Sequence, residues 1–199
     1  MKYEMENTIK YYNENIQKFV ANTIDVTFDD TQNRFLNRLD KGAKILDFGC
    51  GAGRDTKYFL TQGYHVDAID GSKELCRYAS QFTGIKVKQM LFQELKEINQ
   101  YDGIWACSSI LHLNKATLEE VLNKMLTALK KEGIIYTSFK YGYFEGERNG
   151  RYFTDFTESE FIEYLKKIDG ITLEEYWITS DVRPDRSDEK WLNLILQKK

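Results

Sequence analysis

Ile45-Leu46-Asp47-Phe48-Gly49-Cys50-Gly51-Ala52-Gly53-Arg54 begins as a short apolar run and ends as a glycine-rich turn, and this change of character decides the fold. The run 44–48 reads as a buried strand, and the glycines after it let the chain turn sharply and bring its backbone against a ligand. Outward from this point, apolar runs at 65–70, 86–90, 103–107 and 133–139 alternate with segments of helical periodicity, the pattern of an α/β domain. Two more runs, 172–179 and 191–197, are separated only by 180–190, which is too short for a crossover helix, so they are expected to pair antiparallel. The fold class is therefore α/β: a Rossmann-like, doubly wound sheet of seven strands, mostly parallel, with a C-terminal antiparallel hairpin.

The clearest helix lies between the fourth and fifth strands, where Leu118, Val121, Leu122, Met125 and Leu129 share one face. Thr117 with Glu120 is expected to cap its start and Gly133 its end, and Thr157 with Glu160 forms a second capping box ahead of Phe161, Leu165 and Ile168. Residues 3–20 read as one helix carrying Tyr12, Ile16 and Phe19 or Val20 on a single face, a cover for the site or for the sheet. The expected organisation is one domain over 1–199: a helical cap (1–40), a cofactor-binding core (41–139), and rim loops with the closing hairpin (140–199).

Composition narrows the function. A chain of 199 residues, 42% hydrophobic, can bury one good core. A net charge of −3 provides no global basic surface, which weighs against nucleic acid. The N-terminus is polar and no apolar run approaches the roughly 18 residues of a membrane span, so a cytoplasmic protein away from membranes is expected. Cys50, Cys76 and Cys107, with His65 and His112, match neither a disulfide framework nor a metal-binding spacing.

In open α/β sheets ligands bind beyond the carboxyl ends of the strands where strand order reverses, and residues 47–54 lie at that point. A dinucleotide fingerprint would place a glycine where Arg54 stands. The actual Asp-x-Gly-x-Gly-x-Gly pattern favours S-adenosylmethionine (SAM), which has no diphosphate but carries an ammonium that Asp47 could reach directly or through water. Asp70, ending the second strand before Gly71 and Ser72, is placed to accept both ribose hydroxyls. Met90, Leu91 and Phe92 would sandwich the adenine, and Gly49, Cys50, Gly51, Arg54, Asp55, Ala106 and Cys107 complete the expected cofactor shell.

The stretch Leu46 to Asp55, together with Tyr101-Asp102-Gly103-Ile104-Trp105-Ala106-Cys107-Ser108-Ser109-Ile110-Leu111-His112, resembles class I SAM-dependent methyltransferases. The Gly53-Arg54-Asp55 ending is similar to the small bacterial tellurite-resistance-like subgroup. The resemblance covers residues 44 to 139 and implies SAM as cofactor, S-adenosylhomocysteine (SAH) as product, and an acceptor left open.

Displacement at a sulfonium has a neutral leaving group, so positioning can supply much of the catalysis, and a base is needed only for a protonated acceptor. His112 is the candidate base, the alternative being a buried histidine bonded to a carbonyl. Residues 140–156 and 180–190 should both rim the cleft, bringing Tyr141, Arg148, Arg151 and Tyr152 near Arg183, Arg186 and Trp191, with Tyr11 and Tyr12 closing from the first helix. Guanidinium forks and rings suit a small anionic or aromatic acceptor. Alternatively, these arginines pair with Glu145, Glu147, Asp185, Asp188 and Glu189 as loop charges. An RNA-modifying methyltransferase and a non-catalytic SAM-binding module are the competing functions.

Overall fold

The computed structural model describes residues 2–183 and 186–199, with residues 2–4 as backbone only, so Asp185 lies outside the described residues. Three helices come first: α1 (Lys2–Glu14), α2 (Ile16–Thr23) and α3 (Asp29–Leu36). Then β1 (Lys44–Phe48), α4 (Arg54–Thr61), β2 (His65–Asp70), α5 (Lys73–Thr83), β3 (Lys88–Gln89), β4 (Tyr101–Ala106), α6 (Lys115–Ala128) and β5 (Leu129–Lys140) build the wound sheet. A small hairpin, β6 (Glu145–Arg148) with β7 (Arg151–Thr154), precedes α7 (Glu158–Leu165) and the closing pair β8 (Ile171–Ser180) and β9 (Lys190–Lys198).

The seven-stranded sheet runs β3-β2-β1-β4-β5-β9-β8, with β9 antiparallel to both of its neighbours and the other pairs parallel. Strand order reverses between β1 and β4, where Asp47 lies in register with Ala68 on one side and Trp105 on the other. Successive residues point to opposite faces of a strand, and the core divides accordingly. Leu46, Ile104 and Ile135 pack with α6 and α7 residues, whereas Ile45, Trp105 and Tyr136 pack with Phe35 of α3 and Phe59 of α4.

Several local expectations are corrected. The helix α6 is capped by Asn114, whose Oδ1 accepts the Thr117 N–H at 2.9 Å, so Thr117 belongs to the first turn. The chain then passes directly into β5 at Leu129, which makes Gly133 a strand residue. The Thr157–Glu160 capping box is present at α7, although Ile168 lies beyond that helix. The expected 3–20 helix breaks at Asn15, whose side chain bonds back to the Tyr11 carbonyl at 2.9 Å and competes with the helical ladder. The third strand is shorter than 86–90. Residues 140–156 are no plain loop, because Asn149 (φ 53°) and Gly150 (φ 75°) turn β6 into β7 as Asn-Gly hairpin turns do. Among the described residues no helix is long and apolar enough to cross a membrane.

Candidate functional site

The site starts where β1 ends. Gly49 has φ 89°, and a Cβ there would stand 2.5 Å from the Ser109 Cβ and 3.1 Å from the Phe92 ring. No other residue fits without moving β4's exit, because that φ is costly for L side chains as well. The Gly49 and Cys50 N–H groups donate to the Ile69 carbonyl, which folds the loop over the end of β2. Gly51 N–H then donates to Asp70 Oδ2 at 2.9 Å and Ser72 N–H to Asp70 Oδ1 at 2.8 Å. Each Asp70 oxygen keeps a further lone pair for a ligand. Burial raises the Asp70 pKa, and the backbone N–H donors oppose that rise. Ser72 caps α5 and donates to Asn13 Oδ1 at 2.7 Å, which ties α1 to the same corner.

A cavity of about 220 Å³ opens above this loop. The glycine turn, Asp70 to Ser72, Met90 to Phe92, and Cys107 to Ser109 form one side. Ile9 and Tyr12 of α1, Phe19 of α2 and Phe28 ahead of α3 cover it, and Arg151, Asp181, Arg183, Arg186 and Trp191 line its outer rim. Two expected cofactor residues are absent from its walls: Ala106 is fully buried in the core, and Asp47 is 2% exposed. Asp47 lies behind the loop, where the Thr56 hydroxyl donates to it at 2.5 Å. Burial first, then repulsion from Asp55, pushes its carboxyl up to about 8. Arg54 and Asp55 form a local fork at 2.8 and 3.0 Å. Asp55 also accepts from Trp105 Nε1 at 2.8 Å and Gln32 Nε2 at 2.7 Å, and the Arg54 guanidinium lies 4.7 Å from the Phe28 ring.

At the acceptor end, His112 Nδ1 lies 2.6 Å from the Tyr152 carbonyl oxygen and Nε2 lies 2.9 Å from Tyr12 Oη. A carbonyl only accepts, so the proton is assigned to Nδ1 and Nε2 accepts from the Tyr12 hydroxyl. Both ring nitrogens are thereby engaged. Burial, aided by the nearby Arg151 charge, pushes the imidazole down to about 4, so it is neutral at pH 7. His112 thus lines the cavity with one ring nitrogen on a backbone carbonyl and the other on the Tyr12 hydroxyl. In the unfolded chain the ring protonates near pH 6.5. Its contribution to stability is thus full above that value and is lost as pH falls toward 4. The melting-temperature advantage of wild type over His112→Gln should be largest at pH 7 and shrink toward pH 4, and an advantage that grows on acidification would contradict the neutral assignment.

The expected acceptor residues divide. Tyr12, Arg151, Arg183, Arg186 and Trp191 reach the cavity, whereas Tyr11, Tyr141, Arg148 and Tyr152 do not. Tyr141 bonds Glu158 at 2.8 Å, and Arg148 bonds Asp155 at 2.7 Å between the Phe144 and Phe153 rings. Arg183 forks onto Asp181, which also accepts from Trp191 Nε1 at 3.0 Å, and Arg186 meets Glu189 at 3.5 Å. Of the loop pairings expected, the described residues show Arg186 with Glu189, whereas Arg148 and Arg183 pair instead with the buried Asp155 and Asp181. Ile9, Phe28 and Ser109 were not anticipated, and the first two reach the cavity only because the N-terminal helices fold across it.

Residues 45–133 match a family described as "Methyltransferase domain". YqeM of Bacillus subtilis (strain 168) is 31% identical over 114 residues, 51% of this chain and 46% of that protein. The chain spans less than half the length of the curated relatives it matches. Among solved structures, the Burkholderia thailandensis 1,6-didemethyltoxoflavin-N1-methyltransferase, with 1,6-didemethyltoxoflavin and SAH bound, superposes with a TM-score of 0.76 at 22% identity, covering 96% of this chain and 85% of that one. A TehB-like SAM-dependent methyltransferase of Corynebacterium glutamicum gives 0.68 at 22% identity, covering 96% and 98%. These structural likenesses show that the fold is the class I methyltransferase fold.

Proposed function

We propose that the chain is a SAM-dependent enzyme that moves a methyl group to a small anionic or aromatic acceptor, a reading supported by the match of residues 45–133 to the methyltransferase domain family. The observation that carries the reading is Asp70, with an open lone pair on each carboxylate oxygen, beside a glycine loop whose Gly49 has no room for a Cβ and an apolar slot of Met90, Leu91 and Phe92. These residues fit SAM: the carboxylate takes the ribose hydroxyls, the slot takes the adenine, and the loop backbone passes beneath the methionine portion. Asp47 stands behind the loop with its carboxyl kept protonated by burial, and an ammonium brought close to it would draw its pKa back down. When bound, SAM supplies a methyl group on positively charged sulfur for in-line transfer. The chain's own part is to orient the acceptor and exclude water, with no general base assigned and His112 holding Tyr12 in place.

Within the class we place the chain near the tellurite-resistance-like enzymes on the Gly53-Arg54-Asp55 ending, without taking tellurite as the acceptor. An RNA acceptor is disfavoured, because Arg148, Arg183 and Arg186 are each paired with a carboxylate and give no run of open cations along a phosphate path. Separate calorimetric titrations with SAM, SAH and NAD test the cofactor reading. Micromolar binding of SAM and SAH with none of NAD is expected, and the reverse pattern overturns it.

A further inference from the structure

The arginines on the cavity wall are not equivalent. Arg54, Arg183 and Arg186 each face a carboxylate. Around Arg151 the described groups are rings and a hydroxyl: Tyr11 at 4.4 Å, Phe153 at 5.1 Å and Tyr12 at 5.7 Å from the guanidinium carbon, with Tyr12 Oη 3.4 Å from Nη1. Its Nε is closed off from solvent and has no hydrogen-bond partner. A guanidinium cannot shed its proton, so a full positive charge stands at the cavity, and among the described residues no acid is paired to it.

Arg151 is also held in place. Its Nη1 donates to Tyr12 Oη, the Tyr12 hydroxyl donates to His112 Nε2, and His112 Nδ1–H donates to the carbonyl of Tyr152, the residue next to Arg151 in β7. The chain of hydrogen bonds returns to the strand it started from, which fixes the guanidinium relative to its own backbone. The flanking rings present flat apolar surface beside a two-pronged donor, and that pairing suits a carboxylate carried on a planar body.

We infer that Arg151 anchors the carboxylate of the methyl acceptor, a small planar acid, with Tyr12 and His112 as its positioning residues. This rests on the SAM reading above, which assigns the glycine-loop side of the cavity to the cofactor and leaves the wall built by α1 and β7 to the acceptor.

The test uses benzoate and its uncharged isostere benzamide, titrated into the SAH-saturated protein. Benzoate should bind at least tenfold more tightly than benzamide. Arg151→Met should abolish that preference while leaving SAH affinity within twofold of wild type, which also reports that the variant is folded. Arg151→Lys, keeping the charge without the fork, should fall between. Tyr12→Phe should weaken benzoate severalfold and leave benzamide unchanged. Equal binding of the two probes by wild type, or no binding of benzoate, overturns the proposal. So does a tenfold loss of SAH affinity in Arg151→Met with 5′-methylthioadenosine, which lacks the amino-acid end, binding as before; that result would put the cofactor's own carboxylate on Arg151. Arg151-dependent benzoate binding by a protein that fails to bind SAH would instead sink the SAM reading and leave the anion site standing.

Discussion

Asp70→Ala is expected to lower SAM affinity by about a hundredfold or more. Two hydroxyl hydrogen bonds to a charged acceptor contribute about 1.5–3 kcal/mol each, and about 1.4 kcal/mol corresponds to tenfold. The same substitution strips the Gly51 and Ser72 N–H groups of their acceptor, so the loop loses the contact that holds it against β2. Asp70→Asn separates the two effects. Its amide oxygen can keep one of these backbone bonds, but only one oxygen accepts, so affinity should fall roughly tenfold or more, with less loss of thermal stability. Asp67→Ala on the same strand is the control: Asp67 pairs with Lys44 at 3.0 Å away from the cavity, and its loss should leave SAM binding unchanged. Calorimetry on the three variants decides the matter. A drop below fivefold for Asp70→Ala would show that the ribose hydroxyls are held elsewhere.

What could be read from the chain was what local physics determines. The glycine turn, the strand that feeds it and the carboxylate ending the next strand are each set within a few residues, and the short 180–190 link forces an antiparallel pair. The α6 boundary was misplaced because Asn114 and Thr117 are both good caps three residues apart, and only the observed hydrogen bond separates them. The β6–β7 hairpin did carry its signal in Asn149-Gly150, but the flanking strands lack the apolar alternation that would have reinforced it. The site's outer half was the least legible part. The state of His112 depends on Tyr12 and Tyr152, respectively 100 and 40 positions away. The difference between Arg151 and its neighbours follows from whether a nearby carboxylate is taken up, as by Arg183 with Asp181, or whether rings from α1 close in instead. No spacing rule encodes that.

Trp105→Ala is expected to remove a large part of the fold's stability while leaving every cavity-wall residue in the chain. Trp105 is fully buried, stacks on Tyr136 with ring centres 4.0 Å apart, and meets the edges of Phe35 and Phe59 at 5.2 Å each. Emptying such a site costs about 3–5 kcal/mol, a large share of the roughly 5–15 kcal/mol that holds a typical domain folded. For a chain of this size that corresponds to a fall in Tm on the order of 10 °C. The indole also donates to Asp55, whose other partners are Arg54 and Gln32, so one side chain links the core to the first turn of α4 at the glycine loop. Trp105→Phe retains a ring of similar shape and deletes that donor, leaving Asp55 one bond short, a loss of about 1–3 kcal/mol. Its melting temperature should fall by several degrees, with SAM affinity reduced far less than in Asp70→Ala, because the ring does not line the cavity. If Trp105→Phe lost as much SAM affinity as Asp70→Ala at unchanged Tm, the Asp55 cluster would be part of the ligand site itself and not its support.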